Sequence, residues 1–263
     1  MLLLLAASLP SLLNGAPPEG CVSAPTPRVN LRANVARATT SPWVESNGAR
    51  YTRKPGATYC VEAPGRGSAL AAAEAFAFGV TAWIKSADGT TEFGRMLDFL
   101  KALPQVGELP SMANIGVVDD GTGQTSELMN LLSRRNLLYR IVAKPDPRLD
   151  LNVSGPHAAD PSAEAYEIRQ KLGDGKRLLR LYGSEVVVGR LTGDGNRIRL
   201  HLVNYANRPV NGLRVRILGN YPKSAFQAFG LPGAILADFT ATSEATEFTV
   251  QSLNEYAVID LTR

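Results

Sequence analysis

Hydrophobic positions follow two different spacings in this chain, and the change from one to the other divides it into two parts. Within residues 113–142, the apolar run Ile115–Val118 precedes a turn, a segment with apolar residues at helical spacing, and a second apolar run. Two short apolar runs around an amphipathic helix are typical of a βαβ unit with buried parallel strands. The pattern predicts a small, flavodoxin-like α/β layer in the middle of the chain.

Further segments extend this predicted layer on both sides. A run rich in alanine follows Ser68, with apolar residues on all sides, so we expect a buried helix with Ser68 as its N-cap. Two more helices are predicted over Thr91–Ala102 and Pro161–Leu172, the latter with proline at its first position. A strand over residues 177–182 completes the layer, which gives an α/β domain over residues 68–183.

Beyond Gly183 the apolar residues alternate, as they do in half-buried strands. The predicted strands cover residues 185–191, 197–205, 213–218, 246–250 and 256–261. Several short strands separated by turns rich in Gly, Asp and Asn indicate a β-sandwich. We therefore expect a mixed fold class, α/β plus all-β, with an antiparallel β-sandwich domain over residues 184–263.

The N-terminal part carries weaker patterns. Residues 2–13 are an apolar run broken by Pro10. A membrane helix needs about 20 apolar residues, so the run predicts a secretory signal within residues 1–20 and no membrane span. Residues 21–67 hold scattered Pro, Asn and Arg, which predicts an irregular lead-in with one short strand. The expected location is outside the cell or in the periplasm.

Composition narrows the class of protein without identifying an activity. Hydrophobic residues make up 44% of the chain and charged residues 20%, as in globular proteins. The net charge of +4 comes from scattered side chains, which does not favour nucleic-acid binding. Cys21 and Cys60 pair as a disulfide in an oxidising compartment, but two unpaired thiols fit the sequence equally well. Neither cysteine has zinc-site spacing, and no metal or cofactor is predicted.

Candidate carboxylates occur at two places. Trp43 and Glu45 precede a Gly turn, which is typical of the mouth of a sugar site; the favoured alternative is a packing tryptophan and a solvated acid. Asp119 and Asp120 follow the first strand of the βαβ unit, where ligands bind in open parallel sheets. Their favoured interpretation is structural, as turn formers and helix-end charges. A third glycine of the dinucleotide-binding pattern is missing there.

Arginines alternate with apolar residues in two predicted strands of the sandwich. If residues 197–205 and 213–218 form a hairpin, four arginines share one face: Arg197, Arg199, Arg214 and Arg216. Opposed like charges are destabilising, so acids such as Glu247 are expected to neutralise them. The alternative is an acidic polysaccharide bound at Arg199 and Arg214. His201 alternates with leucines, which predicts a place on the outer surface of its strand.

The last sixty or so residues resemble the C-terminal β-sandwich of many glycoside hydrolases. The resemblance is carried by HLVNY (201–205), PV (209–210), LRVR (213–216), TEFTV (246–250) and YAVIDL (256–261). ANIGVV (113–118) resembles the amidotransferase-like domain that follows the barrel in beta-galactosidases with a trimerisation domain. AEAFAFG (73–79) is similar to the last helical part of such barrels.

This resemblance implies a fold and transfers no catalytic residue. Amidotransferases use a Cys at a strand–helix elbow, and both cysteines here precede the α/β domain. A (β/α)₈ barrel takes about 250 residues, and only about 110 precede the βαβ unit. We therefore expect either a chain that has lost its catalytic part or a truncated form of a longer chain.

Three functions remain open from the sequence. The favoured one is a secreted, carbohydrate-associated accessory protein without hydrolase activity, whose partner is a polysaccharide or acidic glycan. The second is a minimal glycoside hydrolase that uses Glu45 with Asp119 or Asp120. The third is a structural module whose α/β layer mediates assembly into a homo-oligomer.

Overall fold

The structure is a computed structural model that describes residues 9–34, 39–86, 91–107 and 109–263. The strands are β1 (Ser11–Leu12), β2 (Val22–Ala24), β3 (Arg28–Asn34), β4 (Thr39–Glu45), β5 (Thr58–Ala63), β6 (Thr81–Ser86), β7 (Ile115–Val118), β8 (Tyr139–Val142), β9 (Leu151–Val153), β10 (Leu179–Tyr182), β11 (Val187–Gly193), β12 (Arg197–Asn204), β13 (Val210–Leu218), β14 (Lys223–Ala228), β15 (Leu236–Ala241), β16 (Ala245–Leu253) and β17 (Tyr256–Thr262). The helices are α1 (Gly48–Arg53), α2 (Gly65–Phe78), α3 (Thr91–Ala102), α4 (Gly123–Arg134) and α5 (Pro161–Leu172).

The first layer is a parallel sheet with strand order β1-β6-β5-β2. Helix α2 packs against β5 and β6 on one side and against β12 on the other. Its alanines are buried and small, which lets these neighbours approach closely. The helix begins at Gly65, and the Ser68 hydroxyl donates to the Gly65 carbonyl at 2.6 Å, so Ser68 lies in the first turn and is not the predicted N-cap. Gly79 ends it with φ +64°, a conformation that glycine adopts without strain.

The second layer contains the predicted βαβ unit, with β7 between β8 and β9 in a parallel sheet. Thr122 caps α4 by accepting from the Thr125 amide at 3.3 Å. The strand predicted over residues 177–182 is present as β10, but its assignment to this layer is wrong, because β10 pairs with β13 in the sandwich. The third strand of the layer is β9, whose three residues are too few for an apolar pattern to reveal.

The C-terminal part is the predicted β-sandwich, so the fold class of α/β plus antiparallel β-sheets is confirmed. Its two sheets have the strand orders β10-β13-β16-β15 and β11-β12-β17-β14, and their leucine, valine and isoleucine side chains meet in one core. The predicted hairpin of β12 with β13 is wrong, since these strands lie in different sheets. Each pairs with a strand from the C-terminal end of the chain, β12 with β17 and β13 with β16.

The predicted irregular lead-in over residues 21–67 is also wrong. This segment contains β2, the β3–β4 hairpin, α1 and β5. Cys21 and Cys60 are joined by a disulfide between neighbouring parts of the sheet, with their Cα atoms 5.8 Å apart. Backbone pairing and the disulfide hold these strands, and the alternation of Val29, Leu31 and Ala33 with polar residues in β3 was a signal that the prediction missed.

Two predicted boundaries differ from the observed architecture, one in the N-terminal segment and one at the start of the sandwich. Of the predicted signal segment, residues 1–8 lie outside the described residues, while Ser11 and Leu12 form β1 beside β6. The predicted boundary after Gly183 follows β10, which already belongs to the sandwich. The α/β part and the sandwich share a hydrophobic cluster, in which Phe76 of α2 packs edge-on against Tyr256 with ring centres 6.5 Å apart.

Candidate functional site

A cavity of about 400 Å³ lies where both parallel layers meet the sandwich. Small-molecule sites in proteins have volumes of about 300–1,000 Å³. We call this space the junction cavity. Its lining comes from the segments 51–56, 78–80, 111–112, 133–141 and 188–191. These segments are the ends of α1, α2 and α4, the chain before β7, most of β8, and the middle of β11.

Arg190 of β11 is one of the arginines that line this cavity. Its Nη1 donates to the carbonyl oxygen of Ala77 at 2.7 Å, and its Nη2 donates to Oγ of Ser111 at 2.6 Å. The guanidinium carbon lies 4.9 Å from the ring centre of Phe78. Burial lowers the pKa of Arg190 to about 10, so the side chain is still charged at neutral pH.

Local structure holds Arg190 in place. Asn136, just after α4, has φ +53°, which asparagine tolerates better than most residues. Its Oδ1 accepts from the Gly189 amide at 2.6 Å, and its Nδ2 donates to the Val187 carbonyl at 3.2 Å. These two bonds attach the end of α4 to the strand that carries Arg190. The Asn136 side chain therefore fixes the part of the cavity wall that carries Arg190.

Two further arginines line the cavity, and each is paired with an acid outside the lining. Arg53 binds Asp119 through both Nε and Nη2, at 2.7 and 2.6 Å. Arg140 forms an ion pair with Asp146. For Arg190, no carboxylate of the described part of the chain lies within ion-pair distance. The described lining contains no Asp or Glu.

Hydroxyl groups complete the polar part of the cavity. The Tyr139 hydroxyl lies 3.4 Å from Oγ of Ser133, and both residues line the cavity. Burial raises the pKa of Tyr139 to about 12, so its hydroxyl is protonated at neutral pH and is able to donate. The cavity thus offers a cation, neutral hydroxyls and the ring of Phe78.

The structure places Trp43 and Glu45 on β4, outside this lining. The guanidinium of Arg134 stacks on the Trp43 ring at 3.8 Å, and Arg28 Nε donates to Glu45 Oε2 at 2.7 Å. Both side chains are therefore engaged by arginines. This arrangement agrees with the structural interpretation of the pair, while a role in a sugar site stays a prediction.

Asp119 and Asp120 lie at the carboxyl end of β7, as predicted. The paired Arg53 holds the pKa of Asp119 below its usual range. Hydrogen bonds from Thr125 and Thr122 hold the pKa of Asp120 well below its usual range. Both groups are carboxylates at neutral pH, and Asp120 serves the turn that begins α4.

The carboxyl group with a raised pKa is Glu74, which sequence reasoning missed. It lies in α2 and is fully buried. Burial raises its pKa, and hydrogen bonds from Tyr205, Ser46 and Asn47 oppose that effect. The sequence did contain a signal for this group, because Glu74 is an acid within a predicted helix that is apolar on all sides. The group joins α2 to the β4–α1 turn and the sandwich, which is a structural role.

The arginines of the sandwich are not grouped on one face. Arg199 is buried and binds Asp260 through Nε and Nη2, at 2.6 and 2.7 Å. Arg214 binds Glu247 at 2.8 Å in the other sheet, which matches the expected neutralisation by that acid. The two are therefore held by different acids in different sheets, and the acidic-ligand role assigned to them stays a prediction.

His201 is not a surface residue, contrary to the prediction. It is 5% exposed, and its Nδ1 lies 2.6 Å from the Tyr256 hydroxyl. Burial lowers its pKa well below the usual value, and the charges of Arg190 and Arg199 act in the same direction. The outward face of β12 is covered by α2, which alternation alone does not reveal.

Within the described ranges, no group of three or more His, Cys, Asp or Glu side chains is arranged to hold a metal ion. The same part of the chain contains no helix long and apolar enough to cross a membrane.

No protein-family model and no curated protein matches this sequence. Among solved structures, the chain is similar to alpha-L-fucosidase isoenzyme 2 from Paenibacillus thiaminolyticus, with a TM-score of 0.59 and 8% identity over 79% of this chain. The chain spans 60% of that protein's length. A noncanonic maltogenic alpha-amylase from Thermotoga neapolitana has 11% identity, over 80% of this chain and 55% of its own length. Its TM-score of 0.19 is too low to show a shared fold. The fold is therefore glycoside-hydrolase-like, as predicted.

Proposed function

We propose that this chain is a secreted, carbohydrate-associated protein that binds a sugar in the junction cavity without cleaving it. The observation that carries the proposal is a cavity, in a glycoside-hydrolase-like fold, whose described lining contains no Asp or Glu. A ring with hydroxyl groups needs an apolar surface and a few directed polar partners. Phe78, Tyr139 and Arg190 supply these.

The environments of the candidate acids support binding without hydrolysis. Glycosidases use two carboxyl groups about 5–9.5 Å apart, one of which is protonated because its pKa is raised. Asp119 and Asp120 have lowered pKa values instead, so neither suits the role of general acid. Glu45 is engaged by Arg28. Glu74, whose pKa is raised, is sealed inside the protein.

Two finer parts of the proposal concern location and ancestry. The Cys21–Cys60 disulfide supports an oxidising compartment, because such bonds are rare in the cytosol. The parallel order β8-β7-β9, flanked by α4 and α5, supports an amidotransferase-like origin of the second layer. The glycoside-hydrolase tail resemblance would then extend from this layer through the sandwich.

Filling the cavity tests the proposal. Ser111 is exposed and lines the cavity, so Ser111→Trp fills part of the cavity and also removes the hydroxyl that accepts from Nη2 of Arg190. We expect the wild-type protein to bind at least one member of a panel of neutral and acidic monosaccharides in saturation-transfer NMR. We expect Ser111→Trp to lose that binding about tenfold or more, since the indole occupies the ring's place.

The matched control is Ser243→Trp, which adds the same side chain at an exposed turn between β15 and β16. It should bind like the wild type. Equal binding by both variants would place the sugar elsewhere. Turnover of aryl-glycosides that Glu45→Gln abolishes would favour the minimal hydrolase, and a concentration-dependent oligomer without any sugar binding would favour the assembly module.

A further inference from the structure

We infer that the junction cavity selects a sugar that carries a carboxylate, and that Arg190 is the residue that anchors this group. This inference rests on the proposed function, since it names the class of sugar held in the same cavity. Three independent observations support it: the charge of the lining, the unused donors of Arg190, and the position of its guanidinium on the Phe78 ring.

The charge of the lining favours an anion. Arg53, Arg140 and Arg190 all line the cavity, and its described lining has no acid. Asp119 neutralises Arg53 from outside, and Asp146 pairs with Arg140 while it also binds Arg148. The charge of Arg190 has no such partner among the described residues. A cavity with low-dielectric walls concentrates that uncompensated charge on whatever enters it.

The end of α2 offers only partial compensation. Arg190 donates to the carbonyl of Ala77, in the last turn of that helix. The C-terminus of a helix carries about half a negative elementary charge. This contact explains how the arginine is held in place, and it supplies less than a full opposing charge.

Arg190 also has free hydrogen-bond donors. A guanidinium has five N–H groups in a planar fork. One N–H of Nη1 binds Ala77 and one of Nη2 binds Ser111. No other acceptor for Arg190 lies in the described part of the chain. The remaining donors suit the two-oxygen edge of a carboxylate, which arginine binds in a bidentate manner.

The position of the guanidinium indicates how such a sugar would lie. Phe78 covers one face of it, so an anion approaches in the plane of the fork. The hydroxyls of Tyr139 and Ser133 then face the rest of the ring. A bare phosphate would use the charge but neither the ring of Phe78 nor these hydroxyls, so a carboxylated sugar ring fits the lining better.

Paired sugars test the inference. Calorimetric titrations would compare glucuronate with glucose, galacturonate with galactose, and glucuronate with its neutral methyl ester. We expect at least one acid to bind about tenfold or more tightly than its neutral partner, because a charge-assisted pair to a buried arginine is lost in that partner. Inorganic phosphate should bind more weakly than the preferred acid.

A variant identifies the anchor. Arg190→Gln retains a donor for the Ala77 carbonyl but removes the charge, so we expect the ratio of the affinities for the acid and its methyl ester to fall from about tenfold to about one, whatever the affinity for the neutral sugar becomes. Arg197→Gln removes one positive charge from an exposed site on the neighbouring strand, beside Asp194, and should keep the preference. If Arg190→Gln does not fold, the wild-type comparison of acid with methyl ester still decides whether the cavity selects a carboxylate.

The outcomes separate the inference from the proposed function. Neutral sugars that bind as tightly as their acids overturn the inference and leave the proposed function in place. Phosphate that binds as tightly as the preferred acid overturns it in favour of a simple anion site. A preference that persists in Arg190→Gln rules out this residue as the anchor. No binding of any sugar removes both the inference and the proposed function.

Discussion

Buried polar groups at the sandwich end of α2 carry much of the specificity of this fold at the residue scale. Glu74 accepts hydrogen bonds from two other segments, the β4–α1 turn and the sandwich, and His201 lies against Tyr256 and Phe76. Neither role was predicted from the sequence. Alternation gave the face of the strand on which His201 lies, but whether α2 covers that face depends on contacts between residues distant in the chain.

His201 gives the residue-scale prediction, a loss of stability in mild acid. Burial lowers its pKa in the folded state, while in the unfolded chain the pKa is about 6.5. Below that pH the unfolded chain takes up a proton that the folded protein excludes, so stability present above pH 6.5 is lost as the pH falls. Between about pH 7.5 and 5.5 this effect is worth on the order of 1 kcal/mol.

Urea denaturation of the wild type and of His201→Gln at both pH values measures the effect. Glutamine keeps a hydrogen bond to Tyr256 but does not titrate, so the stability of this variant should fall by on the order of 1 kcal/mol less than that of the wild type. His157, which pairs with Glu164, is present in both proteins, so its contribution to the pH dependence of stability cancels in the comparison. An identical fall in both proteins would mean that His201 is protonated in the folded state.

At the scale of elements, several local patterns were read correctly from the sequence, but the pairing of strands into sheets was not. The predicted bounds of β7, α3 and α5 match the structure, because each has apolar residues at a clear spacing or a distinct first residue. Strand β10 was assigned to the wrong sheet. Its partner β13 is distant in sequence, and nothing in four residues indicates which sheet will accept them.

In the N-terminal segment a local pattern was missed. Val29, Leu31 and Ala33 alternate with polar residues along the seven-residue strand β3, while β2 has only three residues. Backbone pairing and the Cys21–Cys60 disulfide also hold these strands. The sequence separation of 39 residues makes that bond an important constraint on the unfolded chain. The loop-entropy relation gives about 4 kcal/mol for a loop of this length.

We therefore expect Cys21→Ser with Cys60→Ser to lower the free energy of unfolding by about 2–4 kcal/mol. Chemical denaturation of this double variant and of the oxidised wild type measures the difference. Adding a reductant to the wild type should reproduce most of it, and should leave the double variant unchanged. A wild type equally stable with and without reductant would show that the bond does not restrain this part of the chain.

At the scale of the whole molecule, the chain joins two parallel layers to a β-sandwich and leaves a cavity where they meet. No candidate derived from the sequence lies in the lining of that cavity. Arg190 was hidden because its environment is built from segments more than a hundred residues apart, as its bond to Ala77 shows. The predicted class of fold was correct, while the site depended on how its parts assemble.

The central claim is that a sugar binds in the junction cavity, and mapping its contacts by NMR tests this most directly. Titration of the ¹⁵N-labelled protein with glucuronate, and with glucose as the neutral reference, should shift the backbone amide signals of Phe78, Gly79, Gly189 and Arg190, which line the cavity. The signals of Arg214 and Glu247, on the outer sheet of the sandwich, should not move. Shifts confined to that sheet or to the β3–β4 hairpin, with none in the cavity, would contradict the account.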